Sequence, residues 1–174
     1  GAFVQRGEPA FFDKWHRAVW AIKGGADVVI ELPAVYALSS AAGFATGGVT
    51  LASRLGCQGL ACGVENGTAE DFLALARCAH SLPDREKEGP KETAGREQTE
   101  YLLAASPKKG RLLEQPNALL AFEYAKALLN QDRPLAFWPF PRQGHHGDTE
   151  LGPAFASATA LRQAMRDSGA AACR

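Results

Sequence analysis

Residues 57–79, CQGLACGVENGTAEDFLALARCA, decide the fold, because they predict a strand, a turn and a helix in close succession. Cys57 to Cys62 is a short apolar run of the kind that forms a buried strand. Thr68 and Asp71 then resemble a capping box in which Asp stands where Glu is usual. Apolar side chains follow at helical spacing, namely Phe72, Leu75, Ala76 and Ala79. A buried strand that leads through a turn into an amphipathic helix favours an α/β fold.

The segments on both sides continue this alternation of helices and strands. The predicted elements are helices over 11–23, 40–55, 117–130 and 157–166, and strands over 27–32 and 135–138. Asn117, which follows Pro116, is the expected N-cap of the third of these helices. The order of elements predicts a Rossmann-like α/β domain, a parallel sheet flanked by helices.

Residues 83–111 interrupt this pattern with charged residues, Gly, Pro and Thr. Only the segment Tyr101-Leu102-Leu103 offers apolar side chains within it. We therefore predict a variable insertion or a surface segment here.

The composition is that of one globular domain. The chain has 174 residues, of which 46% are hydrophobic and 22% charged, which excludes a disordered or collagen-like chain. Lys and Arg number 19, as do Asp and Glu, so the net charge of zero argues neither for nor against a nucleic-acid partner. No apolar run approaches the roughly 20 residues of a membrane helix, so no membrane association is expected. The four cysteines have no zinc-like spacing and are expected to be reduced thiols of a cytoplasmic protein.

The loops that follow the predicted strands are the places to look for chemistry, because ligands bind beyond the carboxyl ends of strands in open parallel sheets. Gly63 would let a ligand approach the backbone closely, although spacing alone favours an ordinary turn glycine. The segment 142–149 combines a guanidinium, two imidazoles and a carboxylate, a set that can bind polyphosphate or form a solvated polar loop. Ser157, Thr159 and Arg162 at the start of the last helix could bind an anion, and Ser157 could also be a plain N-cap.

Several motifs, taken in order, resemble the bacterial tRNA(Met) cytidine acetate ligases of the nucleotidyltransferase superfamily. The most specific is FVQRGEPA at 3–10, followed by DKW at 13–15 and GADVVIELP at 25–33. The resemblance continues through CGVENG at 62–67, Pro116-Asn117, the 142–149 loop and ASATALR at 156–162, and covers the chain apart from the 83–111 insertion. It implies a nucleotidyltransferase sheet of the HUP type and one partial ATP-binding domain over residues 1–174.

The resemblance also implies an activity. It indicates an enzyme that activates acetate with ATP as acetyl-adenylate and acetylates N4 of the wobble cytidine of elongator tRNA(Met). It places ATP contacts on Gly63, Asn117 and Arg142, and a second phosphate-binding motif on Ser157, Thr159 and Arg162. ATP is the implied cofactor, with Mg²⁺ as a candidate accompanying ion, and no residue is assigned as general base or metal ligand.

The chain departs from the family pattern in several places. The family's histidine-bearing loop of the HIGH type is not found, so residue 1 is expected to lie inside the fold, beyond the first strand, and residue 174 before its end. The usual Gly-Ser-Glu is Gly63-Val64-Glu65, the usual Pro-Asn-Asn is Pro116-Asn117-Ala118, and the Tyr-His-Asp loop is altered around His145, His146 and Asp148. Two other hypotheses stay open at this point. One is a different adenylyltransferase acting on a small metabolite, and the other is a non-catalytic remnant that binds a nucleotide or RNA.

Overall fold

The computed structural model describes residues 1–4, 7, 9–81, 101–102, 104, 106–133, 135–142 and 158–168. The chain divides into two compact units, Gly1–Phe140 and Pro141–Arg174. The elements up to the unit boundary are helices α1 (Lys14–Lys23), α2 (Ala34–Ala37), α3 (Ala41–Arg54), α4 (Ala69–His80), α5 (Pro107–Gly110) and α6 (Pro116–Leu129), a 3₁₀ turn at Arg111–Glu114, and strands β1 (Gly59–Val64) and β2 (Ala136–Pro141). The second unit holds helix α7 (Ala158–Ser168).

Strands β1 and β2 pair in a parallel two-stranded sheet with helices against it, which confirms the predicted α/β class. Both strands begin one or two residues later than predicted. Parallel neighbours need a long crossover connection. Here the connection includes α4 and α6, and both of these helices contribute to the buried core.

Helix α4 confirms the predicted capping box. The Thr68 hydroxyl accepts a hydrogen bond from the Asp71 backbone N–H at 3.2 Å, and the Asp71 carboxylate accepts one from the Thr68 N–H at 3.1 Å. The pKa of Asp71 lies below its ordinary value, chiefly because the Thr68 side chain donates a hydrogen bond to the carboxylate. The four apolar side chains predicted on the inner face of α4 are all buried.

The core of the first unit is formed by α3, α4 and α6 packed against the sheet. Phe72 of α4 and Phe122 of α6 are the largest fully buried side chains in the described part of this unit. Leu102 is fully buried in the same cluster, and Leu113 there is only 5% exposed. The end of the 83–111 segment therefore supplies a core side chain and is not only a surface insertion. Residues 82–100 lie outside the described part.

The strand predicted over 27–32 is not formed. Val28, Val29 and Ile30 are 70%, 45% and 47% exposed, and none of them pairs with β1 or β2. A buried strand needs neighbours for its backbone N–H and C=O groups, and β-branched residues alone do not supply them. The apolar side chains of α1 are also exposed to solvent: Trp15 is 71% exposed and Val19 52%.

The free cysteines differ in their surroundings, and this leads to a test. Cys57 is exposed, whereas burial raises the pKa of the Cys62 thiol from 9.0 to about 11. Because only the thiolate is nucleophilic, we expect iodoacetamide at pH 8 to modify Cys57 quickly and Cys62 only in the unfolded chain. Both thiols lie in the tryptic peptide 55–77, so fragment-ion mass spectrometry of that peptide measures the label on each. Equal labelling of the two thiols in the folded chain would contradict the packing described for Cys62.

The raised pKa of Cys62 determines whether stability rises or falls with pH. The unfolded Cys62 thiol loses its proton near pH 9, while the folded one keeps it until about pH 11. Burial also raises the pKa of Tyr124 to about 12. Both groups therefore contribute stability below pH 9 that is lost as the pH rises through these values.

Candidate functional site

The candidate site lies where β1 ends. Gly63 and Val64 are the last two residues of β1, so Gly63 belongs to the strand and not to the turn after it. Successive side chains in a strand point to opposite faces. Val64 is fully buried and Cys62 packs on the core, while Gly63 is exposed on the other face. Gly63 thus offers bare backbone at the carboxyl end of the strand.

Glu65 joins this end of β1 to the start of α6. One carboxylate oxygen, Oε1, accepts hydrogen bonds from the backbone N–H of Asn117 at 3.1 Å and from the Asn117 side-chain Nδ2 at 2.6 Å. The other, Oε2, accepts from the backbone N–H of Ala118 at 2.9 Å. A carboxylate 52 residues upstream therefore holds the first turn of a 14-residue helix.

The prediction that Asn117 is the N-cap of this helix is wrong. The N-cap is Gln115, which makes no side-chain capping bond, and Pro116 and Asn117 are the first two helical residues. Proline fits the first position because its φ is already helical and no N–H is needed there. The free N–H groups of the next two residues are satisfied by Glu65 instead of a local side chain.

The electrostatics of Glu65 follow from these contacts. Its partial burial alone would raise the pKa of the carboxyl, but the hydrogen bonds from the Asn117 side chain and backbone and from Ala118 lower the pKa below its ordinary value. The positive end of the α6 dipole acts in the same direction. Glu65 is therefore a carboxylate at neutral pH. The role of Glu65 was not predicted from the sequence, although its position directly after β1 was a signal for it.

The turn between β1 and α4 is held by Gly67. Its φ of +97° is a left-handed conformation that side chains rarely adopt, and a Cβ there would lie 2.9 Å from Cζ of Phe72. The turn that follows Glu65 is thus packed directly on the core.

Two of the departures from the family pattern lie in this region. The side chains of Val64 and Ala118 are both fully buried in the apolar core. Neither side chain faces the exposed edge on which Gly63 lies. In this chain the two substitutions therefore change what the core contains, and they leave Glu65 and Asn117 in contact.

The remaining predicted site residues belong to the second unit or lie outside the described residues. Arg142 is exposed and comes directly after β2. Thr159 lies in the first turn of α7, and Arg162 is an exposed residue one turn further on. Ser157 and its predicted cap lie outside the described residues, as do His145, His146 and Asp148. Among the predicted site residues, Gly63 and Asn117 are linked by Glu65, which follows Gly63 by two positions and accepts hydrogen bonds from Asn117.

The N-terminal motif borders a separate open cleft of about 450 Å³ in the first unit. Phe3 and Pro9 form an isolated antiparallel bridge, and Asp13 caps α1 by accepting from the N–H groups of Trp15 and His16. Lys14 and Glu31, which also border the cleft, form an ion pair at 2.6 Å. Gln5, Arg6 and Glu8 of the motif lie outside the described residues. Within the described part of the chain, no group of three or more His, Cys, Asp or Glu is placed to hold a metal ion, and no helix has the length and apolarity to cross a membrane.

Comparison with known proteins gives consistent matches over the whole chain. The family profile for HIGH Nucleotidyl Transferase matches residues 1–173. A tRNA(Met) cytidine acetate ligase from Leuconostoc citreum is 40% identical over 171 residues, covering 95% of this chain and 42% of that protein. The ligase of the same name from Bacillus velezensis is 37% identical over 194 residues, covering 100% of this chain and 45% of that protein. The chain thus spans somewhat less than half the length of these curated relatives.

Solved structures resemble the chain equally well. The apo crystal structure of Thermotoga maritima TmcAL matches with a TM-score of 0.81 and 31% identity, covering 95% of this chain and 43% of that one. The structure of the same protein bound with alpha-thio ATP matches with a TM-score of 0.78 and 31% identity, covering 97% of this chain and 42% of that one.

Proposed function

The chain belongs to the HIGH Nucleotidyl Transferase family, and we propose that it is part of an ATP-dependent ligase that acetylates the wobble cytidine of elongator tRNA(Met). The observation that carries this proposal is the 40% identity, over nearly the whole chain, to a protein named for that activity. The likeness to a structure bound with alpha-thio ATP supports ATP as the nucleotide. A tRNA substrate implies a cytoplasmic protein.

The proposed reaction has two steps. An acetate oxygen attacks the α-phosphorus of ATP, the bond to the β-phosphate oxygen breaks, and pyrophosphate leaves, which yields acetyl-adenylate. The N4 amine of the cytidine then attacks the acetyl carbon, AMP leaves with the electrons of the broken carbon–oxygen bond, and the amine loses one proton. Such chemistry depends mainly on positioning the reactants and stabilising charge on the phosphates.

The residues of this chain have distinct proposed roles. Gly63 gives the nucleotide close access to the backbone, Asn117 forms hydrogen bonds with it, and Arg142 binds phosphate. Ser157, Thr159 and Arg162 form a second phosphate-binding region at the start of α7, since a helix N-terminus favours anions. Mg²⁺ would bind with the ATP phosphates, because this ion keeps several waters and is usually bound through phosphates and one or two carboxylates.

The product provides the direct test. The full-length protein, incubated with tRNA(Met), ATP and acetate, is expected to yield N4-acetylcytidine, which nucleoside mass spectrometry detects. ATP consumption without this product would overturn the proposal. Pyrophosphate release that depends on a small metabolite and not on RNA would favour a different adenylyltransferase.

Arg142 provides a residue-level test. Replacing it with alanine is expected to weaken ATP binding by about 10- to 100-fold, because hydrogen bonds to charged groups contribute about 1.5–3 kcal/mol. Isothermal titration of the full-length protein measures the change. Arg77→Ala, which removes an exposed arginine from α4, is the matched control and should bind ATP normally. Unchanged affinity in Arg142→Ala would remove Arg142 from the site.

A further inference from the structure

We propose that the open cleft beside the N-terminal motif holds the wobble cytosine of the tRNA substrate, with Glu31 and Lys14 reading the edge of the base that carries the amine. This inference rests on the proposed function, in which that amine is acetylated, and it specifies where the base binds. The cleft has a volume of about 450 Å³, within the usual range for a pocket that holds a small organic molecule. Neither Gly63 nor Asn117, to which ATP is assigned, borders it.

The cleft is formed where three sequence motifs meet. Five of the seven described residues that border it belong to FVQRGEPA, DKW and GADVVIELP, namely Ala10, Asp13, Lys14, Trp15 and Glu31. None of these motifs contributes to the proposed contacts with ATP. Their convergence on one cleft therefore points to a second ligand, and the proposed reaction needs one.

Glu31 and Lys14 supply polar groups with capacity for further hydrogen bonds. Lys14 Nζ donates to Glu31 Oε2 at 2.6 Å, while the two side chains stay 41% and 47% exposed. This bond is the main reason why the pKa of Glu31 lies below its ordinary value, so Glu31 is a carboxylate at neutral pH. Its Oε1 lies 3.5 Å from the Gly1 amine. Since a carboxylate accepts about four hydrogen bonds and an ammonium group donates three, both groups retain the capacity to bind a ligand.

The order of these groups matches cytosine. The carboxylate accepts and the ammonium donates, side by side, whereas cytosine donates from its N4 amine and accepts at the adjacent ring nitrogen N3. Uracil in the same position would set its O4 oxygen against the carboxylate. Trp15, which is 71% exposed, borders the cleft and provides an aromatic surface for the base. Proteins commonly recognise unpaired RNA bases by such a combination of stacking and hydrogen bonds to the Watson–Crick edge.

The test compares two anticodon stem–loops of tRNA(Met), with cytosine or uracil at the wobble position, by fluorescence anisotropy with the full-length protein. We expect the unaltered protein to bind the cytosine form at least about tenfold more tightly. Glu31→Gln places both a donor and an acceptor in the cleft and should reduce this preference to less than about threefold. Glu70→Gln, which changes an exposed glutamate of α4, is the control and should keep the full preference.

A second pair of variants tests the donor. Lys14→Met should lose the preference for cytosine in the same way, whereas Lys23→Met, at the exposed end of the same helix, should keep it. No preference in the unaltered protein would overturn the inference, as would an unchanged preference in Glu31→Gln or an equal loss of affinity for both RNAs.

ATP provides the last comparison, because adenine also carries an amine beside a ring nitrogen that accepts. Glu31→Gln should bind ATP normally in isothermal titration. Weaker ATP binding in this variant would place adenine in the cleft and overturn the inference. If the unaltered protein formed no N4-acetylcytidine, the proposed function and this inference would both fail; if it formed the product and Glu31→Gln kept the preference for cytosine, only this inference would fail.

Discussion

Replacing Phe72 with alanine is expected to lower the free energy of unfolding by about 3–5 kcal/mol, the usual cost of deleting a buried aromatic ring. The ring is fully buried and packs edge-to-face on Phe137 of β2, with 6.3 Å between the centroids. It also lies against Gly67, where no side chain could fill the space it leaves without strain. Since a typical domain is stable by only about 5–15 kcal/mol, this change removes a large share of the total.

Urea denaturation of the 174-residue chain, followed by tryptophan fluorescence, measures this loss. The matched control is Phe140→Ala, which deletes the same ring from a position on β2 that is 57% exposed. We expect the control to change stability by less than about 1 kcal/mol, because exposed substitutions are usually mild. Equal losses in the two variants would mean that the core is not centred on α4 and β2 as described.

The elements that the sequence predicted best are those whose signals are local. The capping box of Thr68 and Asp71 lies within four residues of sequence. Such signals need no partner from a distant part of the chain. The buried face of α4 was also predicted correctly. Once a helix is established, the spacing of its apolar residues specifies which face is buried.

Features that depend on distant partners were predicted less well. The run over 27–32 has the composition of a buried strand, yet composition cannot say whether another strand lies beside it. The start of α6 was misassigned because Asn117 is a common capping residue, whereas the group that satisfies the helix lies at Glu65, more than fifty positions away. A helix that begins with Gln115 and Pro116 lacks a good local cap, and this was a sign that an acceptor must come from elsewhere.

Gly63 carries the prediction with the largest expected effect on binding. It lies within β1, in extended backbone that any residue can adopt, so a valine there suits the strand. If ATP approaches the backbone at Gly63, the new side chain will occupy the space that the nucleotide needs. We expect Gly63→Val to weaken ATP binding by the full-length protein by about 100-fold, or close to 3 kcal/mol.

The control for this change lies on the same strand. Ala61 is also exposed, and because it is two residues away it points to the same face as Gly63. Ala61→Val therefore adds a comparable volume to the same face, away from the end of the strand, and should leave ATP affinity within about threefold, a difference of less than 1 kcal/mol. Isothermal titration gives both affinities, and thermal melting shows whether either variant has lost its fold. A normal affinity in a folded Gly63→Val would mean that this glycine is not a point of close approach, and the nucleotide would then have to be placed from the other proposed contacts, Asn117 and Arg142.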